Sequence, residues 1–252
     1  MRSPLRDIAS GISSAVEKRL FAEYGAIFAT AATPPPVIIF SNADQVDEFQ
    51  SSLQIERGVI GEHEFALQAA ALDRLLAAVS GIASRGSISP RSADSGARSY
   101  QETVGLWTRN VTQGLDHWQE LGRITNEHAQ HIRELPPVEQ VPLILDLEDS
   151  AQIFFGTFFD RSILYSVAAP GASQHLSLLA FDIAEYQDQR AEEELGRHGW
   201  YRTVPNDLPH FTYLGIEQAV LPDLGLTRVT RSYGERVYGF WIPDLARLER
   251  GE

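Results

Sequence analysis

The chain has 252 residues, 43% of them hydrophobic and 10% aromatic, with a formal charge of -13 and no cysteine. That length and apolar content suffice for one substantial core, and the acidic balance argues against nucleic acid as a partner, because a phosphate-tracking surface needs clustered Lys and Arg. Without cysteine there are no disulfides, thiolate nucleophiles or Cys-ligated zinc, so any metal site must be built from His, Asp or Glu.

No apolar run approaches membrane-spanning length, and the first thirty residues lack an apolar stretch after a basic start, so neither a membrane span nor a signal peptide is legible. Leu5 to Tyr24 carries Ile8, Ile12, Val16, Leu20 and Phe21 at helical spacing, which predicts one helix, ended by Pro34-Pro35-Pro36. Val37 to Phe40 reads as a short buried strand, after which Ser41 caps a helix bearing Val46, Phe49 and Leu53. Phe65 to Val79 reads as a core helix stopped by Gly81. Residues 83 to 97 form a Ser/Gly/Arg-rich connection before helical spacing returns from Tyr100 to Leu121 and continues to about Leu147, with a break at Pro136-Pro137.

Beta-branched and aromatic residues then take over. Ile163–Val167, Leu178–Ile183, Trp200–Val204, Phe211–Leu214, Arg228–Ser232 and Val237–Ile242 read as strands, with one helix over Ala191–His198. Helices first and strands later imply an α+β fold. The expected organisation is a mainly helical N-terminal extension over 1–62, a core over 63–216 and a C-terminal β extension over 217–252.

Three places carry candidate chemistry. His128 and His131 share a helical face and could pinch a metal, but the charge around them fits a solvated helix. His175 and Asp182 bracket an apolar run, and a buried aspartate there needs a metal, an arginine or backbone donors. A straight strand of roughly 3.3 Å per residue would hold His175 and Asp182 too far apart for one ion. Sharing one therefore requires the chain to double back near Ser177. Asp207 and His210 flank a proline at the mouth of an aromatic strand and offer a base and a third ligand; a packed, hydrogen-bonded histidine is the alternative.

Taken in order, these segments resemble the zinc metallopeptidases that include bacterial D-alanyl-D-alanine carboxypeptidases, the vancomycin-resistance dipeptidases and the Hedgehog signalling domain, which shares their fold. The resemblance lies in Pro170-Gly171 leading to Ser173 and His175, then Ala180 and Asp182; in Asp207 three residues before His210, with Tyr213-Leu214-Gly215 following; and in Arg98-Ser99-Tyr100 at a helix start. It spans roughly Phe65 to Gly215. Against the family pattern, Leu178 replaces a glycine, Asp207 stands where Glu is commoner, Thr212 replaces an arginine and Thr103 stands where Gln is frequent.

The resemblance implies a small antiparallel sheet with helices packed on it, and a zinc ion held by His175, Asp182 and His210 with its fourth position open. It also implies Asp207 as general base and Arg98 as the guanidinium that meets the oxyanion or the substrate's terminal carboxylate, with Arg85 and Arg91 as competitors for that role. Ser173 is expected to orient the substrate or a ligand. The implied substrate is a peptidoglycan stem peptide, most plausibly its terminal D-Ala-D-Ala bond, and hence a periplasmic or extracellular location. An endopeptidase, or a zinc-stabilised binding module without turnover, would use the same residues.

Overall fold

A computed structural model describes residues 4–250. They divide into two compact units: one holds the chain up to Ile38, Asp47–Arg98 and the chain from Gln174 onward, the other Ile39–Val46 and Ser99–Ser173.

In the first unit, the single helix predicted at the start is two, α1 (Pro4–Gly11) and α2 (Ala15–Tyr24). The Ser14 hydroxyl accepts the Glu17 amide and begins a new helix, since a serine there satisfies an amide that has no partner within the helix. The strand expected at Val37–Phe40 is a run of bends. Three prolines precede it, and only Phe40 of the four is fully buried. Next, α3 (Ala43–Ser51), whose first four residues count with the second unit, is capped one residue later than expected, by Asn42, whose Oδ1 accepts from the Gln45 amide at 2.9 Å. A hairpin follows, β1 (Ile55–Ile60) paired antiparallel with β2 (His63–Gln68), turning at Gly61 with φ +63°. Phe65 and Leu67 therefore lie in a strand, not in the first turn of a helix. Their i, i+2 spacing is that of a strand face, and the helical spacing begins only in α4 (Ala69–Ile82).

The second unit is built on α5 (Tyr100–Glu120), α6 (Asn126–Glu134) and α7 (Pro137–Ala151). Ser99 and Glu102 form a reciprocal capping box that starts α5. The Trp107 indole, fully buried, donates to Gln140 Oε1 at 3.1 Å, and Gly114 gives the Phe155 ring room that any Cβ would fill, since it would lie 2.3 Å from the ring edge. Ile163–Tyr165 is a 3₁₀ turn capped by Ser162, not the predicted strand.

The first unit resumes with β3 (Ala180–Asp182), α8 (Gln189–Arg197), β4 (Trp200–Tyr201) and β5 (His210–Tyr213), the strands forming an antiparallel sheet in the order β3-β5-β4. Asp182 stands opposite His210, and Phe181 opposite Phe211. Because successive side chains of a strand point to opposite faces, Asp182, His210 and Thr212 share one face while Phe181 and Phe211 enter the core with Leu179, Leu195 and Trp200. β6 (Leu226–Tyr233) and β7 (Arg236–Pro243) close a second hairpin before α9 (Leu245–Glu249). The chain is α+β with small antiparallel sheets, as its sequence leads one to expect.

Candidate metal centre

The polar face of the sheet holds a buried cluster. One ligand atom each from His175, Asp182 and His210 lies within 4.8 Å of the other two, the only such grouping among the described residues. His128 and His131 stand exposed on α6 and take no part.

The chain doubles back as a shared ion requires. Gln174–Ser177 is a 3₁₀ turn, Leu178 takes a left-handed conformation with φ 55°, and β3 then carries Asp182 back beside His175. Glycine is the usual occupant of such a backbone, because a side chain there crowds the following carbonyl. The position is the one where the resembling family has its glycine.

The protons on the two imidazoles follow from their outer neighbours. His175 Nδ1 faces the Gly96 carbonyl, which can only accept. His210 Nε2 lies 2.8 Å from Gln174 Oε1, and that amide is oriented by its own Nε2, which donates to the Tyr24 carbonyl at 2.8 Å. Both imidazoles therefore donate outward, and a neutral ring with one N–H turns a lone pair inward from its other nitrogen. His175 Nε2, buried and without a hydrogen-bond donor, faces Asp182 Oδ1 at 3.4 Å; His210 Nδ1 faces the same oxygen at 3.1 Å.

Burial pushes the His175 imidazole below its ordinary pKa and so keeps it neutral. Burial raises the Asp182 carboxyl, and protonated His175 and His210 would pull it below the usual carboxylate range; with both rings neutral, positive charge among the three groups has to take that part. Three electron-pair donors thus converge in a dry pocket, which suits a divalent cation with nitrogen and oxygen ligands. The residues fit the ion the sequence implies.

Of the three candidate arginines, only Arg98 reaches the cluster, with Nη2 3.4 Å from Asp182 Oδ2. Arg85 pairs with Glu194, and Arg91 is exposed, meeting Asp182 through its backbone amide, which donates to the Asp182 carbonyl at 3.0 Å. Asp207 lies within electrostatic reach of the cluster; burial raises its carboxyl pKa, His210 pulls it down and Asp182 raises it further, with a net upward shift. Ser173 is buried and belongs to the other compact unit.

Sequence reasoning passed over Gln174 and Gly96, which meet the two imidazoles, and Thr203, which meets the Gln174 amide. The only signal was a glutamine beside a candidate ligand, since a carbonyl acceptor has no sequence signature. A cleft of about 1850 Å³ in this unit is lined by Trp200, Tyr213, Arg228 and Trp241 among others and includes none of His175, Asp182 and His210. Assignment of the centre therefore rests on side-chain chemistry, not on concavity.

No family model matches the chain, and no curated protein is significantly similar to it.

Proposed function

We propose that this chain is a zinc-dependent peptidase of the D-alanyl-D-alanine carboxypeptidase type, acting on the stem peptides of bacterial cell wall outside the cytoplasmic membrane. His175 Nε2, His210 Nδ1 and Asp182 Oδ1, all buried, converge while both imidazoles turn their other nitrogens to outward acceptors, and this observation carries the assignment. The left-handed backbone at Leu178, in the family's glycine position, supports the resemblance.

His175, Asp182 and His210 hold the ion. Once bound, zinc supplies Lewis acidity toward the carbonyl of the scissile amide. Asp207, with its carboxyl pKa raised, accepts the proton of the attacking water and returns it to the leaving amine. Arg98, partly exposed beside Asp182, offers its planar guanidinium to the oxygen that gains charge or to the substrate's terminal carboxylate.

A second reading, a zinc-holding binding module without turnover, is favoured by one observation. The Thr212 hydroxyl, in the place of the family's arginine, donates inward to Gln174 Oε1 and presents no charge to a substrate. One experiment separates the readings. Purified protein is assayed for zinc by elemental analysis and given a muramyl-type pentapeptide ending in D-Ala-D-Ala, with free D-alanine quantified beside His175→Ala and Asp207→Ala. Release by the wild type alone is expected. Zinc without release from any stem peptide selects the binding module, release of internal fragments selects an endopeptidase, and failure to take up zinc refutes all three.

A further inference from the structure

Gln174 is 3% exposed and makes four polar contacts, to a carbonyl, an imidazole and two hydroxyls. Its amide nitrogen donates to the Tyr24 carbonyl, at the end of α2 and 150 residues away in sequence. Its amide oxygen faces His210 Nε2 at 2.8 Å, Thr212 Oγ1 at 2.5 Å and Thr203 Oγ1 at 3.2 Å, and the two threonine hydroxyls lie 2.6 Å apart. We propose that Gln174 is the positioning residue of the metal centre: it locks His210 in the tautomer that turns Nδ1 toward Asp182, and it ties that ligand to the N-terminal helical segment.

The inference rests on the metal reading above, but its first half can be judged without a metal. An amide oxygen only accepts, so His210 must carry a proton on Nε2, and the neutral ring then has Nδ1 free. Threonine hydroxyls alone impose no such choice, because each can donate or accept. With Gln174 replaced by an apolar side chain, Thr212 and Thr203 rotate to suit either tautomer, and His210 loses its fixed orientation. Groups that orient a metal-binding histidine in this way are typically worth about 10–100-fold in metal affinity. The contact to Tyr24 gives the N-terminal segment, to which the sequence assigned no task, a place in the centre: α2 supplies the carbonyl that decides which end of the Gln174 amide faces His210.

Gln68 is the internal control. It is similarly buried and also joins the N-terminal segment to the site turn, donating to the Ser177 and Thr33 carbonyls and accepting from the Thr33 amide, but it touches no ligand.

The test uses the full chain with ¹⁵N-labelled histidine. The His210 tautomer is read in chelator-treated protein by long-range ¹H–¹⁵N correlation near neutral pH, and Zn²⁺ affinity by competition with a chromophoric chelator. Wild type is expected to show a single Nε2–H tautomer. Gln174→Met, which keeps side-chain length, is expected to show a mixture and a 10–100-fold loss of Zn²⁺ affinity. Gln174→Glu, which keeps an acceptor for His210, should retain the tautomer and most of the affinity while losing the donation to Tyr24, and it decides the matter if the methionine variant does not fold. Gln68→Leu should lower thermal stability and change neither readout. An unchanged tautomer and affinity in Gln174→Met, or equal losses in Gln174→Glu, overturn the assignment while leaving the metal reading standing. A wild type that takes up no Zn²⁺ but loses its single tautomer in Gln174→Met sinks the metal reading and supports the orienting role of Gln174.

Discussion

Replacing Asp182 by Asn should stabilise the metal-free protein. Two lone pairs, on His175 Nε2 at 3.4 Å and His210 Nδ1 at 3.1 Å, face one carboxylate oxygen, an arrangement that repels unless a cation lies among them. An asparagine amide placed with Nδ2 at the position of Oδ1 has two N–H groups and can donate one to each imidazole. Its oxygen then faces Arg98. Each new hydrogen bond contributes about 0.5–1.5 kcal/mol, roughly 1–3 kcal/mol for the pair. The weakened attraction to Arg98, whose side chain is 27% exposed and 3.4 Å away, costs about 0–1 kcal/mol. A net gain of about 1–2 kcal/mol should raise Tm by roughly 2–8 °C for a chain of this size.

The opposite sign follows from the competing picture, in which protonated imidazoles form buried ion pairs with Asp182. There Asp182→Asn would break the pairs and cost about 3–5 kcal/mol. Thermal or denaturant unfolding in the presence of a chelator, near neutral pH, decides between them. Addition of Zn²⁺ should reverse the order, because wild type gains about 2.7 kcal/mol at a hundredfold excess over Kd and the variant gains little. A chelated Asp182→Asn protein less stable than wild type refutes the convergence of lone pairs, and the metal assignment with it.

Asp207→Asn should reduce turnover about 10²–10⁴-fold, as loss of a general base does, and at the same time raise the stability of the chelated protein at neutral pH. The sign follows from the raised carboxyl pKa: its stabilising contribution is present below the unfolded value and lost as pH climbs through the folded one, so the ionised group burdens the fold at pH 7. His175, with its imidazole pKa lowered from 6.5, works the other way, contributing stability above that value and losing it as pH falls below it. Urea unfolding across pH 5 to 8 should therefore show a slope in wild type that is reduced in His175→Gln, and identical slopes would discount burial as the cause. Leu178→Gly relieves about 1–2 kcal/mol of left-handed strain but forfeits a buried leucine, about 2–5 kcal/mol, and adds backbone entropy of about 0.5–1 kcal/mol. A net loss of stability of about 1–4 kcal/mol is expected, and a more stable glycine variant would show that the leucine contributes little packing.

Spacing made legible what depends on one segment at a time. The helices α5 and α7 and the strands β3 to β7 declare themselves through periodicity and residue type, and His175, Asp182 and His210 stand out as polar residues in apolar surroundings. Elements chosen by long-range pairing were less visible. The hairpin β1–β2 was lost because Phe65 and Leu67 continue smoothly into the helical spacing of Leu72, Leu75 and Leu76, and only pairing with Ile55–Ile60 makes them a strand. Ile163–Tyr165 has strand-like residues but folds as a 3₁₀ turn under the local cap of Ser162. At the centre, the candidate ligands came from the family resemblance, residue type alone leaving a hydrogen-bonded core open, and the atoms that orient them, the Gly96 carbonyl and the Gln174 amide, act through contacts 79 and 36 residues apart in the chain.

Under the proposed function, Asp182 and Asp207 differ in task as they differ in environment. Both carboxylates are largely buried, and burial pushes both upward. Their neighbours decide the outcome. Asp182 faces two inward lone pairs and stays ionised when positive charge lies among the three groups; the Asp207 carboxyl is raised by burial, which outweighs the downward pull of His210 and is reinforced by Asp182. Division of roles between paired carboxylates by environment is the pattern of acid–base sites generally. Under the proposed function, grip falls to the residue inside the sheet register and proton transfer to the residue on the loop before β5. Substitution at one should leave the other's task intact: Asp207→Asn still binds Zn²⁺, and Asp182→Asn loses the ion while Asp207 keeps its raised carboxyl.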